Sequence, residues 1–144
     1  MRIEFIVHDI PPKKHGEKSM WDHPTEVPRL ILLRKQAFQA MKEMGLRDCL
    51  RSLITLELTL YVPRSNLESI GDLDNFITGV CDGLQAAHSN IKKFHEAFSR
   101  YADIHPTRTL LIENDSRIVS IQAKKEINPE DDGVFYKIAV QSRD

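Results

Sequence analysis

Alternating and helically spaced apolar residues lay out most of the chain. Ile3, Phe5 and Val7 alternate with Arg2, Glu4 and His8, which predicts an opening half-buried strand. Pro11 and Pro12 end it, and a polar loop runs to Pro28. Leu30, Leu33, Ala37, Met41 and Met44 follow helical spacing from about Arg29 to Met44, with Gly45 as the C-terminal cap. Ile54, Leu56, Leu58, Leu60 and Val62 point one way while Thr55, Glu57, Thr59 and Tyr61 point the other, the clearest strand of all. Pro63-Arg64-Ser65-Asn66 breaks it. Phe76, Val80 and Leu84, widened by Ile77 and Cys81, predict a second helix reaching about Ala87. Ile91, Phe94, Phe98 and Tyr101 predict a further amphipathic helix, an insert at about 89–102 capped by Ser89 or Asn90. Leu110–Ile112 and Ile118–Ala123 predict short strands, and Val134, Tyr136, Ile138 and Val140 a last one.

Composition changes this picture little. The 144 residues make one domain, 1–144, long enough to bury a core without staples. Hydrophobic residues are 41% and charged ones 28%, ordinary for a soluble globule. No apolar run approaches membrane-spanning length, and Met1-Arg2-Ile3-Glu4 does not begin a secretory signal. Cys49 and Cys81 are isolated in apolar settings, as reduced thiols of a cytoplasmic protein are.

The candidate chemistry lies before the second helix, in Gly71-Asp72-Leu73-Asp74-Asn75. Residues two apart share a face on an extended segment but not on a helix. Asp72 and Asp74 therefore converge on one cation only if the chain is extended through Asp72 and turns helical around Asp74. Mg²⁺ or Mn²⁺ suits such a pair of hard oxygen donors. The plainer alternative is an N-cap, which Asp before an apolar helical run commonly provides. A second acidic element, Glu113-Asn114-Asp115, favours the functional alternative.

Gly-Asp-Leu-Asp-Asn, then Asp82-Gly83-Leu84, then Asn114-Asp115-Ser116-Arg117-Ile118-Val119, resembles the RusA family of Holliday-junction resolvases. The family pattern is roughly Asp-x-Asp-Asn, a helix containing Asp-x-Leu, then Asp-Asp-x-x-Val opening a strand. Pro11-Pro12-Lys13-Lys14 looks like an early Pro-Pro-x-Lys stretch of the family. The resemblance covers most of the chain, with two well-matched motifs and one weak one. It implies a single α+β domain with a mixed β-sheet packed with helices, from which the 89–102 insert is a departure. It also implies a homodimer that cuts branched DNA, the four-way junction above all, in recombination and repair, of phage or prophage origin. Asp72, Asp74 and Asp115 would form the Mg²⁺ cage, with Mn²⁺ as a substitute. Two ions about 4 Å apart in such a cage serve the attacking and leaving oxygens of a phosphodiester.

Two features test that implication. Where the family has a lysine four residues after the second aspartate, this chain has Thr78, which supplies no positive charge. Lys125 is the candidate replacement, because alternation turns Lys124 to the opposite face. Net charge is −1, whereas DNA affinity rests on phosphate neutralisation. The candidate DNA contacts are Lys13 and Lys14 in the loop, with Lys18 nearby, Arg34 and Lys35 on the first helix, and Lys92 and Lys93 in the insert. Each set is alternatively a solvated face. Trp21 is expected to pack on the domain or a dimer partner instead of stacking on a base. The acids of 128–133 are expected to form an exposed turn. Beside the nuclease stand a RusA-like nucleic-acid binder without catalysis, for which Thr78 speaks, and a small-molecule or protein-binding domain.

Overall fold

The computed structural model describes residues 1–16, 19–130 and 132–143; Lys18 and Asp131 lie outside them. Strand β1 (Arg2–Val7), helix α1 (Glu26–Glu43), strand β2 (Ile54–Val62), helix α2 (Leu73–Gly83), strand β3 (Ile118–Ile127) and strand β4 (Phe135–Ser142) follow in chain order. The strands form one mixed sheet in the order β1-β4-β2-β3. β4 runs antiparallel to both β1 and β2, and β3 runs parallel to β2. A parallel neighbour requires a crossover connection, and the β2–β3 crossover is the segment that carries α2. The chain is thus a single α+β domain.

Period-two patterning builds the core. Ile3, Phe5 and Val7, Leu56 to Val62 at every second residue, and Tyr136, Ile138 and Val140 turn inward together. Leu33, Ala37 and Met41 of α1 and Phe76, Val80 and Leu84 of α2 close over them in the same cluster. A smaller cluster joins Trp21, Met20, Val27 and Leu30 to Phe98. Trp21 therefore packs on its own domain.

Several boundaries depart from the pattern, and β3 runs on past Ala123 to Ile127. Helix α1 begins at Glu26 because Pro28 sits in its first turn, where a missing N–H does no harm. Helix α2 stops at Gly83, short of Ala87. The 89–102 insert forms no α-helix. It holds 3-10 helices at Glu96–Arg100 and Ala102–Ile104. His88, His95 and His105 each take a backbone N–H two residues on, at 3.1–3.2 Å, and such local bonds compete with helix formation. The His95 N–H itself goes to the Trp21 carbonyl, which ties the insert to the loop before α1. Leu110–Ile112 is buried but makes only an isolated bridge from Ile112 to Leu50. The Leu111 and Ile112 N–H groups both donate to the Leu84 carbonyl instead.

Cys49 and Cys81 are free and buried. Burial first, then Asp115 and Asp82, push the Cys81 thiol up to about 12, so it is inert. Among the described residues no helix is long and apolar enough to cross a membrane.

Candidate functional site

Helix α2 meets the geometric condition set by the Asp72–Asp74 spacing. Asp72 is extended, at φ −90° and ψ 136°, and the helix starts at the next residue. Asp72 occupies the N-cap position, yet its side chain makes no capping hydrogen bond. Both Asp72 and Asp74 are exposed. The plain capping alternative therefore lacks its defining bond. Asp74, Thr78, Asp82 and Gln85 succeed one another at spacings of three and four, a polar stripe along α2 and just past its end. Thr78 is occupied locally, its hydroxyl donating to the Asp74 carbonyl at 2.8 Å.

Pro11–Lys14 lies along this helix. A Cβ on Gly79 would stand 2.2 Å from the Pro12 carbonyl oxygen, so only glycine admits the segment this close. The Lys14 N–H donates to the Asn75 carbonyl at 3.3 Å. The Lys13 ammonium comes within 3.9 Å of where a Gly71 Cβ would stand, directly before Asp72. The fold thus brings Lys13 and Lys14 to the acidic stripe.

Asp115 arrives from the other side, on a 3-10 helix (Asp115–Arg117) that leads into β3. Asn114 caps that turn by accepting the Ser116 N–H at 2.9 Å. The Gln85 amide donates both to the Asp115 carboxylate and, at 2.9 Å, to the Cys81 carbonyl. Asp82 is the acid that interacts with Asp115. Burial first, then the Asp115 charge, raise the Asp82 carboxyl above its usual range, while Lys14 opposes them. Asp82 and Gln85 were outside the predicted site, although Asp82 falls in a quoted motif. Asp72, Asp74 and Asp115 do not gather within 4.8 Å as a set of three. That spread does not fit one shared ion. Asp115 lies instead by Gln85, at the other end of α2 from Asp72 and Asp74. The helical rise from Asp74 to Asp82 alone spans about 12 Å. Two ions about 3.5–4 Å apart do not bridge them either, and the expected three-aspartate cage is not assembled.

The remaining predicted residues fall elsewhere. Lys125 shares the core-facing side of the sheet with Leu60, and its ammonium donates to the Leu67 carbonyl at 2.8 Å. It therefore tethers the turn that leads to Gly71. Lys35 is exposed, 4.3 Å above the Tyr101 ring. Lys92 donates to the Ser89 carbonyl, and Lys93 pairs with Asp22 at 3.4 Å while staying largely exposed.

Arg34 is a correction: it is fully buried and does not face DNA. Its guanidinium donates to the carbonyls of Gly83, Gln85, Ile104, His105 and Arg108 at 2.7–2.8 Å. Burial first, then Arg108, lower it to about 9, so it stays charged at neutral pH. A cation on carbonyls at a helix C-terminus is electrostatically favoured. Arg34 locks the end of α2 to the 104–108 loop.

The acidic turn before β4 is built on Asn128, which is buried and bonds Asp132, Gly133 and Glu130. Glu130 and Asp132 are exposed, as expected of a turn. No protein-family model matches this chain, and no curated protein matches it either.

Proposed function

We propose that this protein is a Mg²⁺-dependent endodeoxyribonuclease of the RusA kind, acting on branched DNA such as the four-way junction. The observation that carries the reading is the start of α2. Two exposed carboxylates stand at an extended-to-helix junction, Asp72 makes no cap bond, and two lysines lie alongside. Carboxylates that do not cap, in reach of phosphate-binding ammonium groups, suit a metal-assisted attack on a phosphodiester.

In this reading Asp72 and Asp74 would hold Mg²⁺, or Mn²⁺ in its place, while Asp115 and its neighbour Asp82 stand further along α2, outside that donor pair. An ion held there would supply the activation of water and the stabilisation of the leaving oxygen that phosphodiester cleavage needs. Lys13 and Lys14 bind the phosphate and supply the charge that Thr78 lacks. Lys125 acts by holding the turn before Asp72. A two-fold homodimer would place one such site on each cut strand of a symmetric junction.

The second reading is a binder without catalysis, and Thr78 favours it, since its hydroxyl is spent on the helix backbone. Cleavage of a synthetic four-way junction beside matched linear duplex, with Mg²⁺, Mn²⁺ or chelator, decides between them. Metal-dependent paired nicks on the junction alone support the nuclease. Binding without cutting under every metal supports the binder, and neither activity refutes both.

A further inference from the structure

A second cluster of donors lies before helix α1, apart from the acidic stripe. His15, His23 and Glu26 each bring one ligand atom to within 4.8 Å of the other two. It is the one such set of His, Cys, Asp and Glu among the described residues. The Glu26 side chain is fully buried, and its carboxylate is fixed from several sides. The Lys13 N–H donates to Oε1 at 3.0 Å, and Arg29 reaches both oxygens at 3.3–3.4 Å. His15 Nε2 meets Oε2 at 2.5 Å. Donors that orient a carboxylate in this way are what the outer shell of a metal centre supplies.

A buried Glu–His pair alone does not require a second imidazole. His23 nevertheless stacks on His15, ring centroids 4.4 Å apart and 13° from parallel. Its Nδ1 accepts the exposed Thr25 N–H at 3.2 Å, a bond that water replaces readily. One His23 ring nitrogen already lies within 4.8 Å of the His15 and Glu26 ligand atoms.

We propose that His15, His23 and Glu26 bind a zinc-class dication, which clasps the loop before α1 to the first turn of that helix. Two imidazole nitrogens and one carboxylate oxygen are a common donor set for such ions, with water in the fourth position. Imidazole donors select this class over Mg²⁺, so the ion is distinct from one held by the aspartates. Because the Lys13 N–H is bonded to Glu26, the clasp also holds Lys13 and Lys14 on α2. The proposal does not depend on nuclease activity.

The test uses the full chain, stripped with chelator and titrated calorimetrically with Zn²⁺ in excess Mg²⁺, with Co²⁺ in parallel as a visible probe. One equivalent of Zn²⁺ is expected, with Co²⁺ absorption bands of a four-coordinate nitrogen–oxygen site. His23→Ala lowers the Zn²⁺ affinity at least ~100-fold, beyond the ~10–100-fold range of an outer-shell change. It leaves the metal-free Tm unchanged, and Asp72→Asn retains Zn²⁺ binding. No uptake by the wild type, or wild-type affinity in His23→Ala, overturns the proposal. If His23→Ala does not fold, the wild-type NMR spectrum decides: Zn²⁺ must shift the ring signals of His15 and His23. Shifts confined to His8, His88, His95 or His105 overturn it.

Discussion

The two ends of helix α2 handle the same electrostatic problem in opposite ways. Each end of a helix leaves backbone groups without intrahelical partners and carries a partial charge. At the C-terminal end the fold answers with Arg34, buried and bonded to five carbonyls, two of them from Gly83 and Gln85. At the N-terminal end Asp72 and Asp74 bring the matching negative charge, but they stay exposed and Asp72 does not cap. One end has its backbone carbonyls taken up by folding. The other keeps its charge available, as a site for a cation does.

Breaking the closed end has the largest expected effect. Arg34→Met leaves five carbonyls without their donor and lowers stability by at least about 3 kcal/mol, since each buried polar group left unsatisfied costs about 1–3 kcal/mol. Arg34→Lys does not rescue it, because one ammonium cannot reproduce the planar fork. Urea unfolding measures both, and a loss under about 1 kcal/mol for Arg34→Met would contradict the structural role. Gly79→Ala attacks the open end through its support. The added methyl group meets the Pro12 carbonyl, so a loss of about 1–3 kcal/mol is expected despite the better helix propensity of alanine. Junction binding weakens with it as Lys13 and Lys14 are displaced, and unchanged stability and binding together would exclude the close packing.

Smaller changes sharpen the contrast. Lys125→Ala frees the turn before Asp72 and lowers the cleavage rate about tenfold, within the ~10²-fold that a small misplacement can cause. Thr78→Lys restores a charge at the stripe and raises the rate. If neither substitution moves it, neither the Lys125 tether nor the charge missing at Thr78 limits the rate. The least effect belongs to Asp82→Asn. The folded-state pKa of Asp82 is raised, so its contribution is present below the ordinary aspartate pKa and is lost as pH rises through the folded value. Asp82→Asn removes that loss, and its stability should fall less than the wild type's between acid and neutral pH. Identical pH profiles for the two proteins would show that Asp82 does not feel Asp115.

The contrast between the two ends also marks how far the sequence could be read. Strand β2 was legible because strict alternation admits one placement, and the extended-to-helical turn at Asp72–Asp74 followed from their spacing. Arg34 was misplaced because its charge suggested solvent. Its position carried the opposite signal, four residues after Leu30 and three before Ala37, on the apolar side of α1. Glu26 was hidden because Pro28 looked like a helix breaker. The 89–102 insert has genuine helical spacing, but histidine–backbone bonds and the tie to Trp21 override it. Asp82 and Gln85 join Asp115 only through tertiary packing, for which one chain offers no periodic signal.

The most direct test of the open end is four-way-junction cleavage in Mg²⁺ by wild type and Asp72→Asn, with thermal unfolding of the same preparations. The account predicts that Asp72→Asn abolishes cutting, still binds the junction in chelator, and unfolds within about 1 kcal/mol of wild type, the scale of a lost charge at a helix end. An Asp72→Asn protein that cuts like the wild type, or that loses its activity only by unfolding, would contradict it.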